Sequence, residues 1–132
     1  MPTSSNREPI LGPSRAGLPV STEDYNMILY PPFLKRGICI APWLIIIPQR
    51  VRHDAAYLAH ELCHAEQQRK HGVITFWWMY LTSDAFRFGA EVEAYKVQIA
   101  HGANLGHCAW QLFNGYTLPI TFEQAHAALT GD

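Results

Sequence analysis

The residues best suited to chemistry stand in one short stretch, His60-Glu61-Leu62-Cys63-His64. Residues four apart on a helix lie on one face, so His60 and His64 can direct both imidazoles at a single metal ion. Glu61 follows the first histidine and can reach a water molecule bound to that ion. Two nitrogen ligands beside a carboxylate base are typical of a zinc hydrolase. The stretch therefore predicts a metal site that activates water.

A catalytic zinc site needs a third protein ligand and an open position for water. The candidates are Glu91 and Glu93, roughly 25 residues after the histidines, which leaves room for an intervening helix. These two glutamates lie about 200° apart around a helix, so they cannot both face one ion. Val92, Tyr95 and Ile99 form an apolar stripe, with Glu91 beside it and Glu93 opposite. The spacing favours Glu91 and leaves Glu93 as the rival third ligand.

The helix that must position the histidines has recognisable ends. Asp54 can serve as its N-cap, and Gly72 ends it after a run of basic residues. A second helix is predicted over residues 74–83. It is apolar nearly all round, so we expect it to be buried or covered by a partner. A third helix, which carries the glutamates, is predicted from about residue 90 to residue 101.

The rest of the chain predicts short elements around these helices. Further helices are expected over 106–113 and 122–129, and the second of them follows a capping box formed by Thr121 and Gln124. β-Branched and aromatic residues over 38–40 and 43–47 predict one or two strands, with Pro42 at a bend or an edge. The expected fold class is α+β and mostly helical, with short strands or a hairpin packed on the two site helices.

Domain organisation follows from the distribution of proline and glycine. Residues 1–20 are rich in both and predict an irregular N-terminal arm, and residues 21–24 could start a turn of helix. Residues 21–132 contain neither a repeat nor a linker and predict a single domain.

Bulk properties narrow the possible partners and location. The chain has 132 residues and a formal net charge of -1, with no basic stripe, so nucleic acid is not an expected partner. The three cysteines (Cys39, Cys63 and Cys108) are odd in number, and no secretory signal is visible, which favours the reducing cytoplasm. The longest apolar stretches are too short to span a bilayer. The oligomeric state is left open.

The order His60-Glu61-x-x-His64 followed by Glu91-x-Glu93-Ala94 resembles the gluzincin zinc metallopeptidases. It is most similar to their smallest members and to small phage and bacterial domains built the same way. The resemblance covers roughly residues 38–100 and also includes Gln67, Gly72, the aromatic run 76–81 and Tyr95. It implies a zincin-like domain with zinc held by His60, His64 and Glu91. In related gluzincins the residue four after this glutamate is usually Asp or Asn and orients a ligand histidine, whereas here it is Tyr95.

The function implied by this resemblance is zinc-dependent cleavage of a peptide or protein. Zinc would activate the water and polarise the scissile carbonyl, while Glu61 would take the proton from the water and deliver it to the leaving amine. The developing oxyanion needs a further donor, and the sequence does not choose among Tyr95, His101, His107 and Tyr116. Arg50 and Arg52, just before the motif helix, are candidates for binding a substrate carboxylate.

The main alternative is a metal-binding structural or interaction module, such as a phage or prophage protein, with a gluzincin core and little or no turnover. The intact Glu61 favours the peptidase, which would act in the cytoplasm, or in the host cytoplasm if a phage encodes it. The short chain favours the module, because larger gluzincins build their substrate cleft with an extra subdomain. A lytic enzyme acting on cell-wall peptides is a weaker alternative, since neither export nor a binding module is evident.

Overall fold

The fold is α+β and mostly helical, which confirms the predicted class. The computed structural model describes residues 27–131. Three strands come first: β1 Met27–Leu29, β2 Ile38–Ala41 and β3 Leu44–Ile46. After a single 3-10 turn at Gln49–Val51, the helices are α1 Ala55–His71, α2 Val73–Thr82, α3 Asp84–Ala100, α4 Leu105–Gly115 and α5 Phe122–Thr130. The predicted arm over 1–20 and the helical turn over 21–24 lie outside the described residues.

The strands form one small mixed sheet in the order β1-β3-β2. β2 and β3 make the predicted hairpin, and Pro42 lies in the turn between them. β1 pairs in parallel with β3 and was not predicted, because three residues are too few to show an alternating pattern. Strand β2 alternates cleanly, with Cys39 and Ala41 buried and the two isoleucines exposed.

The sheet packs on α1 and fixes where that helix lies. Cys39, Ile45 and Ile47 form a buried cluster with Ala65 of α1. The buried side chain of Gln68 adds a hydrogen bond, because its Nε2 donates to the carbonyl oxygen of Cys39 at 2.7 Å. One face of α1 is thereby held against β2, and another face is left for α3.

The ends of α1 are those that the sequence predicts. The Asp54 side chain accepts a hydrogen bond from the backbone N–H of Tyr57, as an N-cap does. Gly72 ends the helix with φ at +87°, a left-handed conformation that favours glycine.

The predicted start of the third helix was wrong. α3 begins at Asp84 rather than near residue 90, because Ser83 caps it by accepting a hydrogen bond from the backbone N–H of Phe86. Gly89 then lies inside the helix, at a cost of about 1 kcal/mol relative to alanine. The extra turns lengthen the contact between α3 and α2.

A second core lies on the far side of α3, where α4 and α5 pack. Its buried residues include Tyr95, Cys108, Leu112, Ala125 and Leu129. The capping box at the start of α5 is present, since the Thr121 and Gln124 side chains each bond the other's backbone N–H. This core supports α3 from behind and holds its opposite face towards α1.

Helix α2 is buried on one side only by the described residues, so the first of the two expectations, burial within the domain, was wrong, while cover by a partner stays a prediction. Phe76 is fully buried, whereas Ile74, Trp78 and Leu81 are 86%, 70% and 70% exposed. These three residues define the apolar outer face of α2, and no other part of residues 27–131 packs over it. No helix in this part of the chain is long and apolar enough to cross a membrane.

Candidate metal centre

Helices α1 and α3 bring three donor groups together in the interior. The Nε2 atoms of His60 and His64 are 3.2 Å apart. The carboxylate of Glu91 faces both rings, with Oε1 at 3.2 Å from Nε2 of His60 and Oε2 at 3.2 Å from Nε2 of His64. All three side chains are buried. The three residues that the sequence predicts as ligands are thus the ones that the structure brings together.

This arrangement fits a zinc ion. Bonds of about 2.1 Å in tetrahedral geometry require donor atoms roughly 3.4 Å apart, close to the separations seen here. Two imidazoles and one carboxylate are a donor set found in catalytic zinc sites, which leave a fourth position open. Oε1 of Glu91 is buried, and although it lies 3.2 Å from Nε2 of His60 it makes no hydrogen bond among the described residues, as expected for an atom placed to bind a metal ion.

The electrostatics of the centre also favour a cation. Burial opposes ionisation of Glu91, but the two histidines outweigh it and hold the pKa of this carboxyl well below its usual range. Burial also opposes a charge on His64, but Glu91 and Glu61 outweigh that effect and raise its pKa to about 9. The metal-free centre therefore retains a proton near neutral pH, in a place where a metal ion would supply the positive charge instead.

Gln67 orients His64 for binding through Nε2. Its Oε1 lies 2.8 Å from Nδ1 of His64. Its Nε2 donates to the carbonyl oxygen of Ala90 at 3.0 Å and to Oε1 of Glu93 at 2.8 Å. Because these two acceptors fix the amide, its oxygen must face the imidazole and accept the Nδ1 proton. This leaves Nε2 as the atom of His64 that can bind a metal ion, once it releases the proton that it carries in the metal-free centre.

The same hydrogen bonds explain the position of Glu93. This rival for third ligand is exposed and lies outside the donor group, on the far side of Gln67. The separation agrees with the helical geometry of α3, on which residues two apart point in nearly opposite directions. Glu93 contacts the centre only through Gln67 and His64.

Tyr95 holds His60 by packing rather than by a hydrogen bond. The two rings meet edge to face with centroids 4.4 Å apart. The Tyr95 hydroxyl instead bonds the hydroxyl of Tyr116 at 2.7 Å. Nδ1 of His60 is buried and has no hydrogen-bond partner among residues 27–131. The orienting role of Asp or Asn in gluzincins is therefore not reproduced by Tyr95.

Glu61 faces the centre with a free carboxylate. Its side chain is buried, and within the described part of the chain no hydrogen bond to it is found. Burial raises its pKa, and the histidines only partly offset that effect. Gly37 makes room for it, since a Cβ there would meet Oε2 of Glu61 at 3.1 Å and Cε1 of Tyr57 at 2.9 Å.

An open cleft of about 410 Å³ lies over the three donors and Glu61. Helix α2 forms one wall of the cleft with Phe76, Trp77, Tyr80 and Leu81. Trp77 ties this wall to β2, because its Nε1 donates to the carbonyl oxygen of Ile40 at 2.8 Å. Sequence reasoning missed Tyr80, whose hydroxyl donates to Oε2 of Glu91 at 2.5 Å. In the sequence, the only indication of this role was the position of Tyr80 one helical turn after Phe76 in the aromatic run.

The four predicted oxyanion donors divide into two pairs. Tyr116 lines the cleft, and Tyr95 contacts both Tyr116 and His60. His101 and His107 do not line the cleft, because they lie at exposed ends of α3 and α4. The structure thus reduces the candidates to the tyrosine pair.

Comparisons with protein-family models, with curated proteins and with solved structures find no match for this chain. The gluzincin resemblance therefore stays a prediction from the sequence motif.

Proposed function

We propose that the protein is a zinc-dependent peptidase that cleaves a peptide or protein substrate in the cleft. The observation that carries this proposal is the free, buried carboxylate of Glu61 beside the donor group His60, His64 and Glu91, under an open cleft. A site built only to bind a structural metal needs neither a spare base nor access for a substrate.

The residues of the chain can divide the work of amide hydrolysis. A zinc ion held by the three donors would supply Lewis acidity for water and for the scissile carbonyl. Glu61 accepts the proton of the attacking water and returns it to the leaving amine. Its raised pKa suits both tasks, because proton transfer is most effective when the pKa approaches the working pH.

The tyrosine pair is suited to the oxyanion. Burial raises the pKa of Tyr116 well above its usual value, so its hydroxyl stays protonated and can donate a hydrogen bond. The hydroxyl of Tyr95, 2.7 Å away, can accept or donate and fixes the direction of that group. Tyr80 is already engaged with Glu91 and positions that ligand.

One observation favours the alternative of a metal-binding interaction module. The apolar outer face of α2, with Ile74, Trp78 and Leu81, is exposed, as surfaces that bind other proteins often are. This face lies on the same helix as the cleft wall. A protein bound there would contact the helix that lines the site.

Replacement of Glu61 by glutamine separates the two functions. We expect E61Q to retain stoichiometric zinc, measured by mass spectrometry of the metal, while cleavage of a peptide library falls at least about 100-fold. Glu66→Gln is the matched control, since Glu66 is an exposed glutamate on the same helix. Equal cleavage by E61Q and the wild type would contradict the proposed mechanism. A zinc-loaded wild type that cleaves no peptide would favour the interaction module.

A further inference from the structure

A second cavity of about 170 Å³ adjoins the metal centre. It shares Arg36, His60, Glu61 and Tyr116 with the cleft, so a group bound in one lies next to the other. We call it the basic cavity, because its lining contains three cations: Lys35, Arg36 and Arg50. Glu61 is the only carboxylate among the described residues that line it.

Within residues 27–131 the three cations make no ion pair, and the Glu61 carboxylate acts on Arg36 only from beyond ion-pair distance. Nη2 of Arg50 donates to the carbonyl oxygen of Lys35 at 2.7 Å, and Nη1 of Arg36 donates to the carbonyl oxygen of Gly115 at 2.5 Å. The guanidinium of Arg36 also lies over the ring of Tyr116, 4.9 Å from its centroid. All of these partners are neutral. Among residues 27–131 none of the three cations pairs with a carboxylate.

Two polar groups beside these cations make no hydrogen bond within the described residues: the amide of Gln98, which opens to the cavity, and the buried Nδ1 of His60. Gln98 lines the basic cavity and is only 6% exposed, yet its side-chain amide makes no hydrogen bond within the described residues. Nδ1 of His60 is buried without a partner as well. If His60 binds a metal through Nε2, its Nδ1 carries a proton and needs an acceptor. Unpaired polar groups of this kind are costly unless a ligand or water satisfies them.

We propose that the basic cavity is an anion subsite that binds a carboxylate of the substrate, either an acidic side chain or the C-terminal carboxylate. A carboxylate has two oxygens that accept charge-assisted hydrogen bonds from guanidinium and ammonium groups, and the Gln98 amide can donate to the same oxygens. That this carboxylate belongs to a peptide rests on the proposed function. The preference for an anion rests on the cavity alone.

Arg50 and Arg52, both candidates for this role from the sequence, differ in the structure. Arg50 lines the basic cavity. Arg52 is exposed outside it, and its Nε bonds Nε2 of the neighbouring His53 at 3.2 Å. Arg52 is therefore a matched control, since it carries the same charge only two positions along the chain.

The test is an NMR titration with three acetylated tripeptides: acetyl-Ala-Asp-Ala-amide, acetyl-Ala-Asn-Ala-amide and acetyl-Ala-Asn-Ala with a free C-terminus. The first peptide carries a carboxylate only on its side chain and the third only at its C-terminus. Together they distinguish the two sources of the carboxylate. Each titration is made with zinc-loaded and with metal-free protein, because a carboxylate that merely binds zinc loses its advantage when the metal is removed. We expect at least one acidic peptide to bind about tenfold more tightly than the neutral one in both forms.

The variants assign this preference to the basic cavity. In the double variant Lys35→Gln, Arg50→Gln the ratio of acidic to neutral affinity should fall towards one, while Arg52→Gln should keep the wild-type ratio. Lys35 and Arg50 are exposed, so their replacement should leave the circular dichroism spectrum unchanged. Equal affinity for all three peptides, or a wild-type ratio in the double variant, would overturn the subsite. If the protein cleaved no peptide but still bound acidic peptides more tightly than the neutral one, only the proposed peptidase function would be overturned.

Discussion

Zinc affinity should depend on Gln67, although this residue is not a ligand. Gln67 accepts the Nδ1 proton of His64 and is itself fixed by the carbonyl oxygen of Ala90 and by Glu93. Gln67→Met keeps most of the side-chain volume but removes both the acceptor and the donor. The imidazole of His64 then loses the hydrogen bond on Nδ1, which selects its tautomer and helps to fix its ring orientation.

The size of the effect follows from these contacts. Loss of an orienting partner typically weakens metal binding 10- to 100-fold, which corresponds to about 1.4 to 2.7 kcal/mol. The carbonyl oxygen of Ala90 also loses the hydrogen bond from Gln67 but keeps its partner within α3, so the free energy of unfolding should fall by about 0.5 to 1.5 kcal/mol. Zinc affinity and stability are thus both expected to fall, and a control must separate them.

Gln68 supplies that control. It is a fully buried glutamine one position along the same helix, and its Nε2 donates to the carbonyl oxygen of Cys39 rather than to a group of the metal centre. Gln68→Met should lower stability by a similar amount and leave zinc affinity within about twofold of the wild type. Zinc affinity is measured by competition with a chromophoric chelator, and stability by urea denaturation of the metal-free proteins.

The two variants together test the orienting role of Gln67. If Gln67→Met bound zinc as tightly as the wild type, the hydrogen bond to His64 would have no role in metal binding. If both variants lost affinity equally, the loss would reflect general destabilisation of α1. Only a selective loss in Gln67→Met agrees with an orienting role.

Three further outcomes follow from the structure. The thermal stability of the metal-free protein, measured by calorimetry, should fall as pH rises from 6.5 through about 9, because His64 has its pKa raised to about 9 and gives up its stabilising proton over that window. The zinc-loaded protein should lack this decline, and a flat profile of the metal-free protein would contradict the pairing of His64 with Glu91. Tyr80→Phe removes the donor to Glu91 and should weaken zinc binding about tenfold in the chelator assay, whereas unchanged affinity would exclude this role. Thr121→Ala should cost about 1 kcal/mol in urea denaturation by removing the cap of α5, while Thr130→Ala near the other end should cost less, and equal losses would argue against the cap.

Features set by neighbouring residues could be predicted from the sequence. The limits of α1 follow from Asp54 and Gly72, which act within one turn of the helix ends. The choice of Glu91 over Glu93 followed from helical periodicity and from the apolar stripe beside Glu91. Both depend only on local geometry, which a single sequence records.

Features that depend on distant contacts could not be predicted. Strand β1 exists because β3 offers it a parallel partner, and its three residues carry no pattern of their own. The roles of Gln67 and Tyr80 arise from atoms on α3 that they meet only after the helices pack. The basic cavity likewise combines residues from the loops before β2 and α1 with others from α1, α3 and α4.

The order of the site residues along the chain bears on how the protein folds. The donor group, Gln67, Tyr80 and Glu93 all lie in α1, α2 and α3, which follow one another with almost no intervening loop. Contacts between consecutive helices close short loops and form early, whereas the parallel pairing of β1 with β3 must wait for a crossover connection. The three-helix segment is therefore expected to assemble the ligand set before the sheet is complete. On the proposed function, the zinc ligands of α1 and α3 would therefore be in place before β1 pairs with β3, and zinc would bind before the fold is complete.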